Sequence, residues 1–102
     1  MIETTDKTQA LKNRQLRGII LRNLAMFYPH PITIRGLKGA LTEHGQPVPA
    51  DTRKVCTYLE DKGYIRTKEG YLKGSTDDEL VKLTAKGIDL LEGASIDPGV
   101  DI

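Results

Sequence analysis

A chain of 102 residues, 38% hydrophobic and 28% charged, has room for one domain and has neither the low hydrophobicity nor the high net charge of a disordered polymer. No apolar run reaches the ~20 residues of a membrane-spanning helix. The polar, acidic N-terminus MIETTDKTQ is unlike a secretory signal, so a cytoplasmic protein is expected.

The formal net charge of +1 conceals a division. Residues 7–73 carry 13 Lys and Arg against 5 Asp and Glu, a balance of +8, whereas residues 74–102 carry 2 against 7, a balance of −5. A basic body of this kind suits a polyanionic partner. With no Trp and a single Phe, the core has to be built from Leu, Ile and Val.

In chain order, residues 1–8 read as a flexible arm. Leu16, Ile20, Leu24 and Phe27 recur at helical spacing and predict a first helix over residues 9–28, ended by Pro29 and Pro31. Residues 31–33 are a short extended piece. Thr33 is placed to cap a second helix over 34–43, with Ile34, Leu37 and Leu41 inward. Gly36 and Gly39 weaken that helix and suggest close approach of another on that side. Gly45 is expected to close it, and residues 46–49 form a turn.

A third helix is predicted over residues 50–62, with Thr52, Cys56 and Leu59 on its buried face and Gly63 as its stop. Tyr64 to Thr67 reads as a strand, 68–78 as a polar loop, and 79–83 as a second strand with Val81 and Leu83 on one face. Thr84 caps a last helix over 85–92 that buries Ile88 and Leu91. Residues 93–102 read as a flexible acidic tail, leaving 9–92 as the folded domain.

Two stretches, TRKVCTYLEDKGYI (residues 52–65) and LTAKGIDLL (residues 83–91), resemble the winged helix-turn-helix superfamily, with the topology of MarR- and PadR-like regulators. The fuller combination of GALTEHGQPVPADTRKVCTYLEDKGYI, LTAKGIDLLEG and DPGV most resembles a family of small winged-helix proteins of Mu-like phages and prophages. The resemblance implies a mainly α fold with a small β-hairpin, in the order helix, strand, helix, helix, strand, wing, strand, helix. It also implies double-stranded DNA as partner and a role in transcription regulation. The turn over residues 42–49 is longer than the tight turn of typical members.

In that arrangement the helix over 50–62 enters the major groove and the wing over 66–78 follows the backbone. The groove-facing set is Asp51, Arg53, Lys54, Thr57 and Tyr58, with Asp51 read first as a cap and second as a base contact. Arg35 and Lys38 suit phosphate clamping, and Arg66, Lys68 and Lys73 suit backbone contacts from the wing. Against this, Asp77, Asp78 and Glu79 would repel phosphates. The alternative is a protein-interaction module without DNA binding. A homodimer through the first and last helices is compatible with either reading.

An enzyme is not expected. His30 and His44 lie apart in turns with no ligand at metal spacing, so neither a metal site nor a cofactor is expected. Cys56 belongs to an apolar stripe and reads as core rather than nucleophile.

Overall fold

A computed structural model describes residues 2–69 and 76–102. Helix α1 (Ile2–Ala25) begins well before residue 9, because nothing in the polar N-terminal stretch breaks a helix. It ends at Ala25 rather than at Tyr28. Pro29 has no N–H to give the Ala25 carbonyl, and the chain tightens into shorter-range bonds from Met26 to Asn23, Phe27 to Leu24 and Tyr28 to Ala25.

Strand β1 (Ile32–Thr33) leads into α2 (Ile34–Glu43), whose first turn is capped by the Thr33 hydroxyl accepting from Gly36 N at 2.9 Å. Helix α3 (Thr52–Asp61) follows, then β2 (Ile65–Lys68), a 3-10 turn over Thr76–Asp78, β3 (Leu80–Leu83) and α4 (Ala85–Leu91). The Thr84 hydroxyl caps α4 and donates to the Gly63 carbonyl at 2.7 Å, tying α4 to the end of α3. Gly45 and Gly63 take positive φ just past α2 and α3, as expected of helix-stopping glycines.

The three strands form one antiparallel sheet with β3 in the centre. Ile32 and Thr67 both stand opposite Val81, and Ile65 stands opposite Leu83. These residues line the face turned toward the helices, in the period-two pattern of a half-buried sheet. Among the described residues the result is an α+β fold of four α-helices and a three-stranded antiparallel sheet in the expected order.

The core joins Ile20, Leu21 and Leu24 of α1 to Ile34, Leu37 and Leu41 of α2, Cys56 and Leu59 of α3, and Ile65, Val81 and Leu83 of the sheet. Each large aliphatic buried this way contributes about 1.5–3 kcal/mol. Buried Asn23 ties α1 to the turn before α3, with its amide donating to Ile19 O at 2.8 Å and to Gln46 Oε1 at 2.5 Å.

Three further expectations change. Leu90 is the buried side chain of α4, while Ile88 and Leu91 flank the core. No helix lies against Gly36 or Gly39; a Cβ at Gly39 would meet open space. Residues 93–102, expected as a loose tail, fold back along α1. Val100 is 4% exposed, Asp101 N donates to Arg14 O at 3.0 Å, and Arg17 Nη1 donates to Gly99 O at 3.0 Å. The Tyr64 hydroxyl donates to Asp97 Oδ2 at 2.7 Å, and Lys62 Nζ lies 3.3 Å from the same oxygen. Gly18 is what lets the tail lie so close, since a Cβ there would collide with the Asp101 carbonyl. No described helix is long and apolar enough to cross a membrane.

Candidate nucleic-acid interface

Helix α3 buries Thr52, Cys56 and Leu59, so its expected face is turned outward. Asp51 is its N-cap: the carboxylate accepts from Lys54 N at 3.0 Å, which satisfies an orphan amide of the first turn. Lys54 and Thr57 are exposed, and the Thr57 hydroxyl donates to Arg53 O at 3.0 Å.

Tyr58 departs from the expectation. It is half-buried on the flank of α3 that meets α1, with the Arg17 guanidinium 3.6 Å from the centre of its ring and Gly99 against its hydroxyl. It fastens the returning tail and α1 to α3, and it leaves the groove-facing set. Tyr58 sits three residues after Val55 and four after Lys54, and all three line a cleft between α3 and α1, where Arg17 reaches the Tyr58 ring.

The acidic run after the loop has a different role from the one expected. Each of its three carboxylates takes a cation of the helices. Asp77 Oδ1 lies 3.0 Å from Lys38 Nζ, Asp78 Oδ1 lies 2.7 Å from Arg35 Nη1, and Glu79 pairs with the Arg53 guanidinium. Arg35 and Lys38 come from α2 and Arg53 from α3, so three consecutive residues bind both helices to the start of β3. The hydrogen bond and charge of Asp78 push the Arg35 guanidinium further toward its charged form. Asp78 Oδ2 is buried with no hydrogen-bond partner among the described residues. Arg35, Lys38 and Arg53 are thus on the predicted surface but already engaged.

The outward face of the hairpin carries the opposite charge. Arg66 stands directly across from Lys82, and Lys68 across from Leu80. All three cations are exposed, because Ile65, Val81 and Leu83 take the inner face together with half-buried Thr67. The Glu60 carboxylate fixes β2 by accepting from Thr67 N at 3.0 Å and Thr67 Oγ1 at 2.6 Å. A shallow cleft of about 210 Å³ on this face is lined by Tyr28, Arg66, Lys82 and Thr84, with Tyr28 41% exposed. Like charges directly opposite each other on adjacent strands are unfavourable unless an anion lies between them.

Among the described residues, Lys54, Arg66, Lys68 and Lys82 have no acidic partner. Lys82 was not singled out from the sequence, although the alternation of Val81, Lys82 and Leu83 points it outward. Tyr28 joins the cleft through the turn after α1, which no periodicity announces. Lys73, with the rest of residues 70–75, lies outside the described residues.

The remaining candidates for chemistry stand apart. His30 is exposed in the turn after α1, and His44 Nδ1 lies 3.2 Å from the Asn23 side-chain oxygen, where it belongs to the packing of α1 on α2. Burial pushes the Cys56 thiol up to about 11. Among the described residues no three His, Cys, Asp or Glu side chains gather closely enough to hold a metal ion. In comparison with known proteins, no family model, no curated protein and no solved structure matches the chain.

Proposed function

We propose that this protein is a non-enzymatic DNA-binding protein of the winged helix-turn-helix kind, with α3 directed to the major groove and the β2–β3 hairpin to the adjacent backbone. The observation that carries the reading is the gathering of cations without acidic partners on adjacent elements: Lys54 on α3, and Arg66, Lys68 and Lys82 on the outward face of the sheet. Cations without internal carboxylates are free to neutralise phosphates, and Thr57 adds a hydroxyl that can reach a base edge or phosphate. The resemblance of residues 39–65, 83–93 and 97–100 to small winged-helix proteins of Mu-like phages and prophages supports a transcription regulator of a phage or prophage. Two copies paired through α1 and α4 would present two half-sites.

One observation favours a second reading, a protein-interaction module without DNA binding: Arg35, Lys38 and Arg53 are already paired with carboxylates of the same chain. A titration of purified protein with random-sequence duplex at several salt concentrations separates the two. The DNA reading predicts binding whose log–log salt slope reaches about −0.9 for each phosphate contact, hence about −3 to −4 for the four cations. Absence of any salt-dependent binding would favour the protein module.

A further inference from the structure

Helix-borne cations in a DNA-binding protein are useful only if phosphates can reach them. Here three of them face a ready-made row of anions. Asp77, Asp78 and Glu79 are consecutive and lie immediately before β3, and each holds a different cation: Lys38, Arg35 and Arg53. The oxygens approach as phosphate oxygens would, at 2.7 Å for Arg35 and 3.0 Å for Lys38. Two helices and the hairpin base meet at this row, and the Ile34 amide adds a bond to the Glu79 carbonyl at 2.9 Å, so the carboxylates are positioned by backbone as well as by charge.

We propose that the row Asp77-Asp78-Glu79 acts as an internal phosphate mimic that withholds Arg35, Lys38 and Arg53 from a polyanion, leaving Lys54 and the outward sheet cations Arg66, Lys68 and Lys82 as the surface a duplex meets. The inference rests on the DNA-binding reading. A phosphate that engages α2 must displace a carboxylate already in place, and the displaced carboxylate then stands beside the incoming backbone. Full engagement therefore requires the row to be neutralised or moved, and affinity is held down while it stays. The same pairs also explain why a chain with a strongly acidic segment beside its wing keeps its hairpin base docked on α2 and α3: the acids face inward onto cations, away from the Arg66–Lys82 face.

The test compares three proteins on one labelled duplex of about 20 base pairs, by fluorescence anisotropy between about 50 and 200 mM salt. They are the wild type, D77N/D78N/E79Q, and a control with the same charge change placed elsewhere, E43Q/D89N/E92Q. The row variant is expected to bind at least tenfold more tightly at about 0.1 M salt, with a log–log slope steeper by about 2 to 3, because two or three further phosphates are contacted at about 0.9 each. The control is expected to keep the wild-type slope. If substitution of partly buried Asp78 prevents folding, D77N alone, at a half-exposed carboxylate, frees Lys38 and is expected to steepen the slope by about 0.9. A slope unchanged in the row variant or in D77N, or a control that gains as much as the row variant, would overturn the inference while leaving the DNA reading in place. No binding by any of the proteins would overturn both.

Discussion

Arg66 and Lys82 offer a perturbation in which binding and stability should move in opposite directions. The two are direct partners across β2 and β3, both exposed, and no acid among the described residues lies between them. Replacing both with Gln removes a like-charge cross-strand pair, whose relief is worth roughly 0.2–1 kcal/mol. If each cation contacts one phosphate, the same change removes about 1.8 from the log–log salt slope and, near 0.1 M salt, about 60-fold in affinity. Urea unfolding and anisotropy on the same preparations read both quantities. The expected result is a variant at least as stable as the wild type that binds much more weakly with a shallower slope. Equal binding by the two proteins would remove the outward sheet face from the interface. Weaker binding accompanied by a lower unfolding midpoint would show that the face serves the fold, and the reasoning from uncompensated charge would be refuted.

Other outcomes follow from the returning tail and the core. Val100→Ala removes two buried methyl groups and should lower stability by about 2 kcal/mol, a melting shift of roughly 8–16 °C; a loss within about 0.5 kcal/mol would mean that the tail adds nothing to the fold. The Tyr64 hydroxyl bond, followed by the Gly99 amide and Lys62, holds the Asp97 carboxyl below its usual range. Its contribution is therefore present above an unfolded value of about 3.9 and is lost as pH falls through the lower folded value. D97N should accordingly be less stable than wild type at pH near 6, and the gap in urea midpoints should close in acid; a gap that persists in acid would contradict this linkage. Cys56, fully buried with a thiol pushed up to about 11, should resist thiol reagents in the folded protein, so rapid stoichiometric labelling under native conditions would place it at the surface instead.

What could be read from the sequence was local. Thr33, Asp51 and Thr84 cap their helices through bonds spanning three residues, and Gly45 and Gly63 end theirs through a backbone conformation glycine favours, so composition at single positions was enough. The alternation of Leu80 to Leu83 likewise announced which face is buried. What was missed joins residues far apart in the chain. The ring of Tyr58 looks outward by helical spacing until Arg17 and Gly99 close over it. Residues 93–102 hold one buried apolar side chain, Val100, and are anchored by backbone groups at Gly99 and Asp101 and by the Asp97 carboxylate, none of which forms a sequence pattern. Asp77 to Glu79 are legible as acids near a basic surface, where an unpaired carboxylate would repel phosphates. Their pairing with Arg35, Lys38 and Arg53 depends on the docking of the sheet on α2 and α3, which only the fold supplies.

Amide chemical-shift mapping with a random-sequence duplex reports where on the chain the partner lies. Perturbations should concentrate at residues 51–57 and along β2 and β3, centred on Lys54, Arg66, Lys68 and Lys82, and diminish as salt rises. The amides of α4 and of the packed tail around Asp97 and Val100 should remain largely unmoved. An unchanged spectrum at saturating duplex and low salt, or shifts confined to α1 and the tail, would contradict the proposed DNA-binding surface.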